Sequence, residues 1–138
     1  MLSFYVKVYK IFKIGNNIIN YLLNREEEYQ YEYFRCCFRI RHRIKRDFRE
    51  NLSKIILYGS YARGDYHITS DVDIMILVTL SDEEIKRVEN QVFDCAFDLE
   101  MKYGVDISPI IKNEIHYEYW VDTLPFYRNI QQEGAVVA

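Results

Sequence analysis

Cysteine is sparse in this chain. Cys36, Cys37 and Cys95 are the three present. They show neither the spacing of a structural zinc site nor the even count of a disulfide framework, which fits a reducing cytoplasm. The adjacent Cys36-Cys37 pair reads as helix packing rather than chemistry. No apolar run approaches the roughly 20 residues of a membrane span, so no membrane partner is expected. The N-terminus lacks an apolar h-region followed by a small-residue cleavage site, so no signal peptide is expected either. A surplus of positive charge is also missing: the formal net charge is −3. Residues 25–54 carry nine Lys/Arg against six Asp/Glu, whereas residues 71–138 carry five against fourteen. A domain with this balance is a poor general binder of nucleic acid by charge alone, and direct nucleic-acid binding is not expected.

What is present is a globular composition. Apolar residues make up 49% of 138 residues, enough for one domain with a single proper core. Thirteen tyrosines are unusual; they suit either a half-exposed binding surface or the amphipathic edges of a core.

The informative stretch is residues 54–78. Two apolar runs, Ile55-Ile56-Leu57-Tyr58 and Ile74-Met75-Ile76-Leu77-Val78, flank a polar bridge. Short runs rich in Ile, Val and Tyr and bounded by Gly, Ser and Asp predict buried strands. Asp71 and Asp73 stand at i and i+2 where the second strand begins. Strand side chains alternate faces, so both carboxylates point one way, about 7 Å apart at Cα. Two like charges there repel unless a cation sits between them, and Mg²⁺ is commonly held by one or two carboxylates plus substrate phosphates. An ordinary polar turn would account for Asp71 but not for Asp73. At the end of the first strand, Gly59 lets the backbone approach a ligand closely. Ser60 and the neighbouring N–H groups are then placed to donate to phosphate oxygens. Arg63, followed by Gly64, either grips phosphate with its planar fork or pins the loop to a nearby carboxylate. No Gly-Lys-Ser/Thr follows, so this is not a Walker A loop.

Gly59-Ser60, ten residues, then Asp71-Val72-Asp73 resembles the signature of the DNA polymerase β-like nucleotidyltransferase superfamily. The fuller string Gly-Ser-Tyr-Ala-Arg-Gly…Ser-Asp-Val-Asp-Ile is similar to its small single-domain members, the minimal nucleotidyltransferases (MNT). The resemblance implies an α+β fold with a small mixed sheet flanked by helices. It implies ATP as substrate, two Mg²⁺ ions, and nucleotide binding by Gly59, Ser60, Arg63 and Gly64. It implies catalysis and metal binding by Asp71 and Asp73, with a third carboxylate on a neighbouring strand, for which Asp106 is the position that fits. The competing reading of Asp106 is a turn former beside Gly104. The resemblance further implies a HEPN-domain toxin as partner, with AMP transferred to one of its hydroxyls, taken to be a tyrosine, so that this chain serves as the antitoxin. Two alternatives stay open: a binding antitoxin with a vestigial nucleotide site, or transfer to a small molecule or an RNA end.

The remaining chain is read in order. Residues 1–24, interrupted at Gly15-Asn16-Asn17, are expected to be an extension of uncertain structure, and the resemblance implies residues 25–138 as the nucleotidyltransferase domain. Residues 26–50 predict a helix with Tyr33, Cys37, Ile40, Ile44 and Phe48 on its apolar face. Arg35, Arg39, His42, Arg46 and Arg49 line another face, either contacting a partner or a nucleic-acid substrate or merely solvated and locally paired, as Arg46 with Glu50. Ser81-Asp82-Glu83-Glu84 is a capping box opening a helix that Gly104 ends. Val105–Ile111 predicts the third strand, with Pro109 marking an edge or the end of regular pairing. Two short helices over 113–122 and 123–133 follow, with Pro125 in a first turn and Gly134 as C-cap.

Overall fold

The structure, a computed structural model, describes residues 25–67 and 69–138. The expected N-terminal extension, residues 1–24, lies outside the described residues. Helix α1 spans Arg25–Phe48 and leads through a single 3₁₀ turn into strand β1, Leu52–Tyr58. The short helix α2, Ser60–Arg63, follows at once, and strand β2 covers Val72–Val78. Helix α3 (Asp82–Tyr103), strand β3 (Ile107–Asn113), helices α4 (Glu114–Trp120) and α5 (Pro125–Glu133), and the two-residue strand β4 (Ala135–Val136) complete the chain.

The sheet order is β3-β2-β1-β4. β1 runs antiparallel to β2 and β4, and β2 runs parallel to β3, so the sheet is mixed. The parallel pair needs a crossover, and α3 supplies it. β3 is an edge strand, where a residue without an N–H is tolerated; this accommodates Pro109, paired opposite Ile74. The α+β architecture with a small mixed sheet flanked by helices is therefore the observed one.

Strand alternation sorts the core into two sides. Val72, Ile74, Ile76 and Val78 face a cluster with α1 and α3. Met75 and Leu77 face the other way, with Ile56 and residues Tyr117, Val121, Tyr127 and Ile130 from the C-terminal helical region. β2 is thus buried on both faces, which explains its unbroken apolar run.

α1 buries Tyr33, Cys36, Ile40, Ile44 and Phe48. The sequence pattern selects Cys37 in place of Cys36; in the structure Cys36 is the buried one of the pair and Cys37 is only partly buried, because the core also closes over the α3-facing flank of α1. On the polar face, Arg46 pairs with Asp47 at 3.0 Å rather than with Glu50.

The capping box of α3 is present in both halves: Glu84 N–H donates to Ser81 Oγ, and Ser81 N–H donates to Glu84 Oε2 at 2.9 Å. Gly104 ends α3 in the left-handed conformation, φ 67°. Gly134 caps α5 for a different reason. Its backbone is extended, and a Cβ there would overlap the Ile130 carbonyl and Ile56 Cγ2. Close approach, not left-handed φ, requires glycine at that position.

Candidate active site

The site grows out of the two ends of β1 and β2 that meet across the sheet. Tyr58 closes β1 and stands opposite Asp73 in the antiparallel register. Asp73 shares its side of the sheet with Met75 and Leu77, and Asp71 precedes the strand by one residue. Ser108, level with Asp73 in the parallel register, donates from Oγ to Asp71 Oδ2 at 3.3 Å. Ser108 belongs to the side that carries Ile110, so this bond turns Asp71 to the same side as Asp73. The expected common face of the two carboxylates is therefore the observed one.

Gly59 is fitted against this pair. Its backbone lies at φ 73°, ψ −154°, a region essentially closed to residues with a Cβ. A Cβ added there would overlap Asp73 Oδ2 and come within 3.2 Å of its Cγ. Ser60 then opens α2, whose first turn leaves N–H groups without intrahelical acceptors. The loop closes with Gly64, at φ 85°, where the N–H donates to the Ser60 carbonyl at 2.9 Å.

The loop is held from behind by aromatic stacking. Tyr61 is fully buried. It stacks on Tyr33 of α1 at 4.0 Å between centroids and on Tyr66 at 4.4 Å, both nearly parallel. Part of the tyrosine surplus is thus spent inside, fixing the glycine–serine turn to the first helix. Tyr61 was not singled out from the sequence, although it lies within the motif string.

The electrostatics follow from this crowding. Burial first, and the Asp71 charge second, raise the Asp73 carboxyl above its ordinary value. Burial and the Asp73 charge push Tyr58 up to about 12. Arg63 is ion-paired to Asp65 and to Glu133 of α5, each at 3.3 Å. As it stands it ties the loop to the C-terminal helix.

Asp106 sits in the turn before β3, exposed. Its carbonyl accepts the Val72 N–H at 2.8 Å, which sets its backbone beside the residue between the two aspartates. Among the described residues, no group of three or more His, Cys, Asp and Glu side chains is gathered closely enough to hold a metal as it stands. Ser108 was missed by sequence reasoning. Its only sequence signal is parity with Asp106, and its contact depends on the β2–β3 register.

A mixed sheet with paired carboxylates at a strand start and a glycine–serine turn beside them defines a phosphoryl-transfer class of protein. Comparison with known families agrees. Residues 39–135 match the nucleotidyltransferase domain model, and the chain belongs to the nucleotidyltransferase domain family. Similar proteins include two from Methanocaldococcus jannaschii provisionally named protein adenylyltransferases. One is 37% identical over 94 residues, covering 68% of this chain and 86% of the relative. The other is 35% identical over 79 residues, covering 57% and 78%. Among solved structures, a provisionally named nucleotidyltransferase from Sulfolobus solfataricus is similar at a TM-score of 0.48 and 18% identity, covering 85% of this chain and 89% of that one. A toxin–antitoxin crystal structure with AMP-PNP is similar at a TM-score of 0.45 and 20% identity, covering 72% and 70%.

Proposed function

We propose that this nucleotidyltransferase transfers AMP from ATP to a hydroxyl group, taken to be a tyrosine, of a HEPN-domain toxin, and so acts as the antitoxin of a toxin–antitoxin pair. The observation that carries the proposal is the pair Asp71 and Asp73 on one side of the sheet, with a Cβ-free backbone pressed against them. The adenylyltransferase names of the Methanocaldococcus relatives support a protein acceptor. So does the motif's resemblance to the minimal nucleotidyltransferases.

The residues fit a hard divalent cation. Asp73 carries a carboxyl raised by burial and by its neighbour's charge, a repulsion that a cation relieves. Asp71 and Asp73 would hold Mg²⁺, with Asp106 proposed as the further ligand for two ions. Bound there, Mg²⁺ supplies neutralisation of the triphosphate charge and a lowered pKa for the acceptor hydroxyl. The chain's own part is positioning. Gly59 admits the triphosphate against the backbone, and Ser60 Oγ with the N–H groups of α2 donates to its oxygens. Exposed Arg63 exchanges one of its two carboxylate partners for a phosphate oxygen, and Gly64 closes the loop. The acceptor oxygen bonds to the α-phosphorus, the α–β bridging P–O bond breaks, pyrophosphate departs, and the hydroxyl proton passes to solvent. The product carries added bulk and negative charge on the toxin.

The test is incubation with α-labelled ATP, Mg²⁺ and the protein product of the neighbouring gene. Label on that protein, lost by at least about a hundredfold in Asp71→Asn and Asp73→Asn, is the expected result. A tight complex without label would instead assign a purely binding antitoxin.

A further inference from the structure

Part of the exposed arginine stripe of α1 lines a concavity. Where α1 packs on α3, the two helices enclose a cleft of about 450 Å³. Arg39, His42, Arg43 and Arg46 line it from α1, and Lys102 from α3. Leu99 and Tyr103 complete the lining, and Asp98 is its one carboxylate. α1 and α3 cover the side of the sheet faced by Ile74 and Ile76, whereas Asp71 and Asp73 face the other side. The cleft is therefore separate from the transfer site.

Local pairing neutralises only part of this charge. Arg43 meets Asp98 at 3.4 Å, but the carboxylate is 64% exposed, free to swing away. Arg46 meets Asp47, its sequence neighbour, at 3.0 Å. Among the described residues, Arg39 and Lys102 have no carboxylate within ion-pair distance. In a chain of net charge −3, three guanidinium groups and an ammonium in one concavity are a local concentration of positive potential, and low-dielectric walls focus it.

The geometry narrows the ligand. Arg39, Arg43 and Arg46 rise along the helix in steps of about 6 and 4.5 Å, a spacing suited to linked phosphates. The volume is that of a small-molecule pocket, not of a groove for a long polymer. Tyr103 is buried, with the Arg35 and Lys102 cations over its ring at 5.4 and 5.5 Å, which leaves little of the ring for a base to stack on.

We propose that this cleft is a second phosphate site that takes a di- or triphosphate group, supplied either by free pyrophosphate or by a nucleoside triphosphate. Arg39 and Lys102 make the main contacts, and Arg43 exchanges Asp98 for the ligand. The proposal does not depend on the acceptor or on catalysis.

The test is calorimetric titration of the full chain with pyrophosphate and, separately, with ATP, both without divalent ions. Binding is expected, weakening as KCl rises from about 50 to 200 mM. Arg39→Gln with Lys102→Gln should weaken it by at least about tenfold, Arg39→Lys should restore most of it, and the component that depends on Arg39 and Lys102 should persist in Asp71→Asn with Asp73→Asn. Circular dichroism checks that the surface variants fold. Equal affinities for the two ligands identify the phosphates as all that is read; tighter ATP identifies the nucleotide as the natural source. Absence of binding, or binding lost with the aspartates and indifferent to Arg39 and Lys102, overturns the proposal. So does an eight-nucleotide single-stranded RNA that binds tenfold more tightly than either ligand through the same residues, which would make the cleft part of a nucleic-acid surface.

Discussion

At Gly59 two independent demands coincide. The backbone lies at φ 73°, ψ −154°, and the Asp73 carboxylate occupies the space a Cβ would need. Gly59→Ala is expected to cost at least about 1–3 kcal/mol from backbone strain alone and to abolish the Mg²⁺-dependent binding of nucleotide at the Asp71–Asp73 pair by displacing Asp73. Urea unfolding and ATP titration check both; an alanine variant with parent stability and affinity would refute the fit. The carboxyl pair itself makes a pH prediction. The folded-state pKa of Asp73 is raised, chiefly by burial and next by Asp71. Its contribution to stability is therefore fully present below the unfolded carboxylate pKa and lost as pH rises through the raised value. Asp71→Asn removes the second cause. In EDTA the variant should melt higher than the parent near neutral pH, with the gap closing in acid, and added Mg²⁺ should raise the parent's melting temperature more than the variant's. Thermal melts across pH decide this; a variant less stable at every pH would contradict it.

Elements position these residues through contacts far apart in sequence. β4 is two residues long, yet it completes the far edge of the sheet. Val137 N–H donates to Ile55 O at 2.8 Å, and Ile55 N–H donates to Ala138 O at 3.0 Å. Gly134 permits that return, since a Cβ would overlap Ile130 and Ile56. Gly134→Ala should destabilise the domain by about 1–3 kcal/mol, as overpacking does, and should speed hydrogen exchange at Val137 and Ile55 before other amides. Unchanged protection at those two amides would show that β4 tolerates the added methyl. The same element bears on the site, because Glu133, one residue before Gly134, holds Arg63. The capping box and Gly104 of α3 were legible from residues 81–104 because a helix cap is a contact over three residues. The serine that orients Asp71 was not, because Ser108 reaches it across 37 positions through a strand pairing.

For the molecule as a whole, β2 is the shared wall of two cores. Ile76 belongs to one and Met75 to the other, and both are fully buried. Ile76→Ala and Met75→Ala should each cost about 2–5 kcal/mol. Because one strand serves both clusters, each variant should still unfold in a single transition. Two separated transitions in calorimetry, or by tyrosine fluorescence against circular dichroism, would show that the two faces melt independently. The charge distribution also acts at this scale: the acidic residues 71–138 include Asp71 and Asp73, whereas the basic helix lines a separate cleft with Arg39, Arg43 and Arg46.

The α+β class came with the motif's resemblance, and the residues by themselves determined the motif, the strand pair around it and the two helix-capping signals. Each of these is written in contacts between near neighbours or in the alternation of one strand, and such patterns survive without knowledge of the fold. Only the tertiary structure decided that Cys36 rather than Cys37 is the buried residue of its pair and that Gly134 is demanded by crowding. Only the tertiary structure joined Ser108 to Asp71 and Tyr61 to Tyr33, and gathered Arg39 and Lys102 into one cleft. Those outcomes depend on strand register and on the rotation of one helix against another, quantities set by the packing of the whole chain.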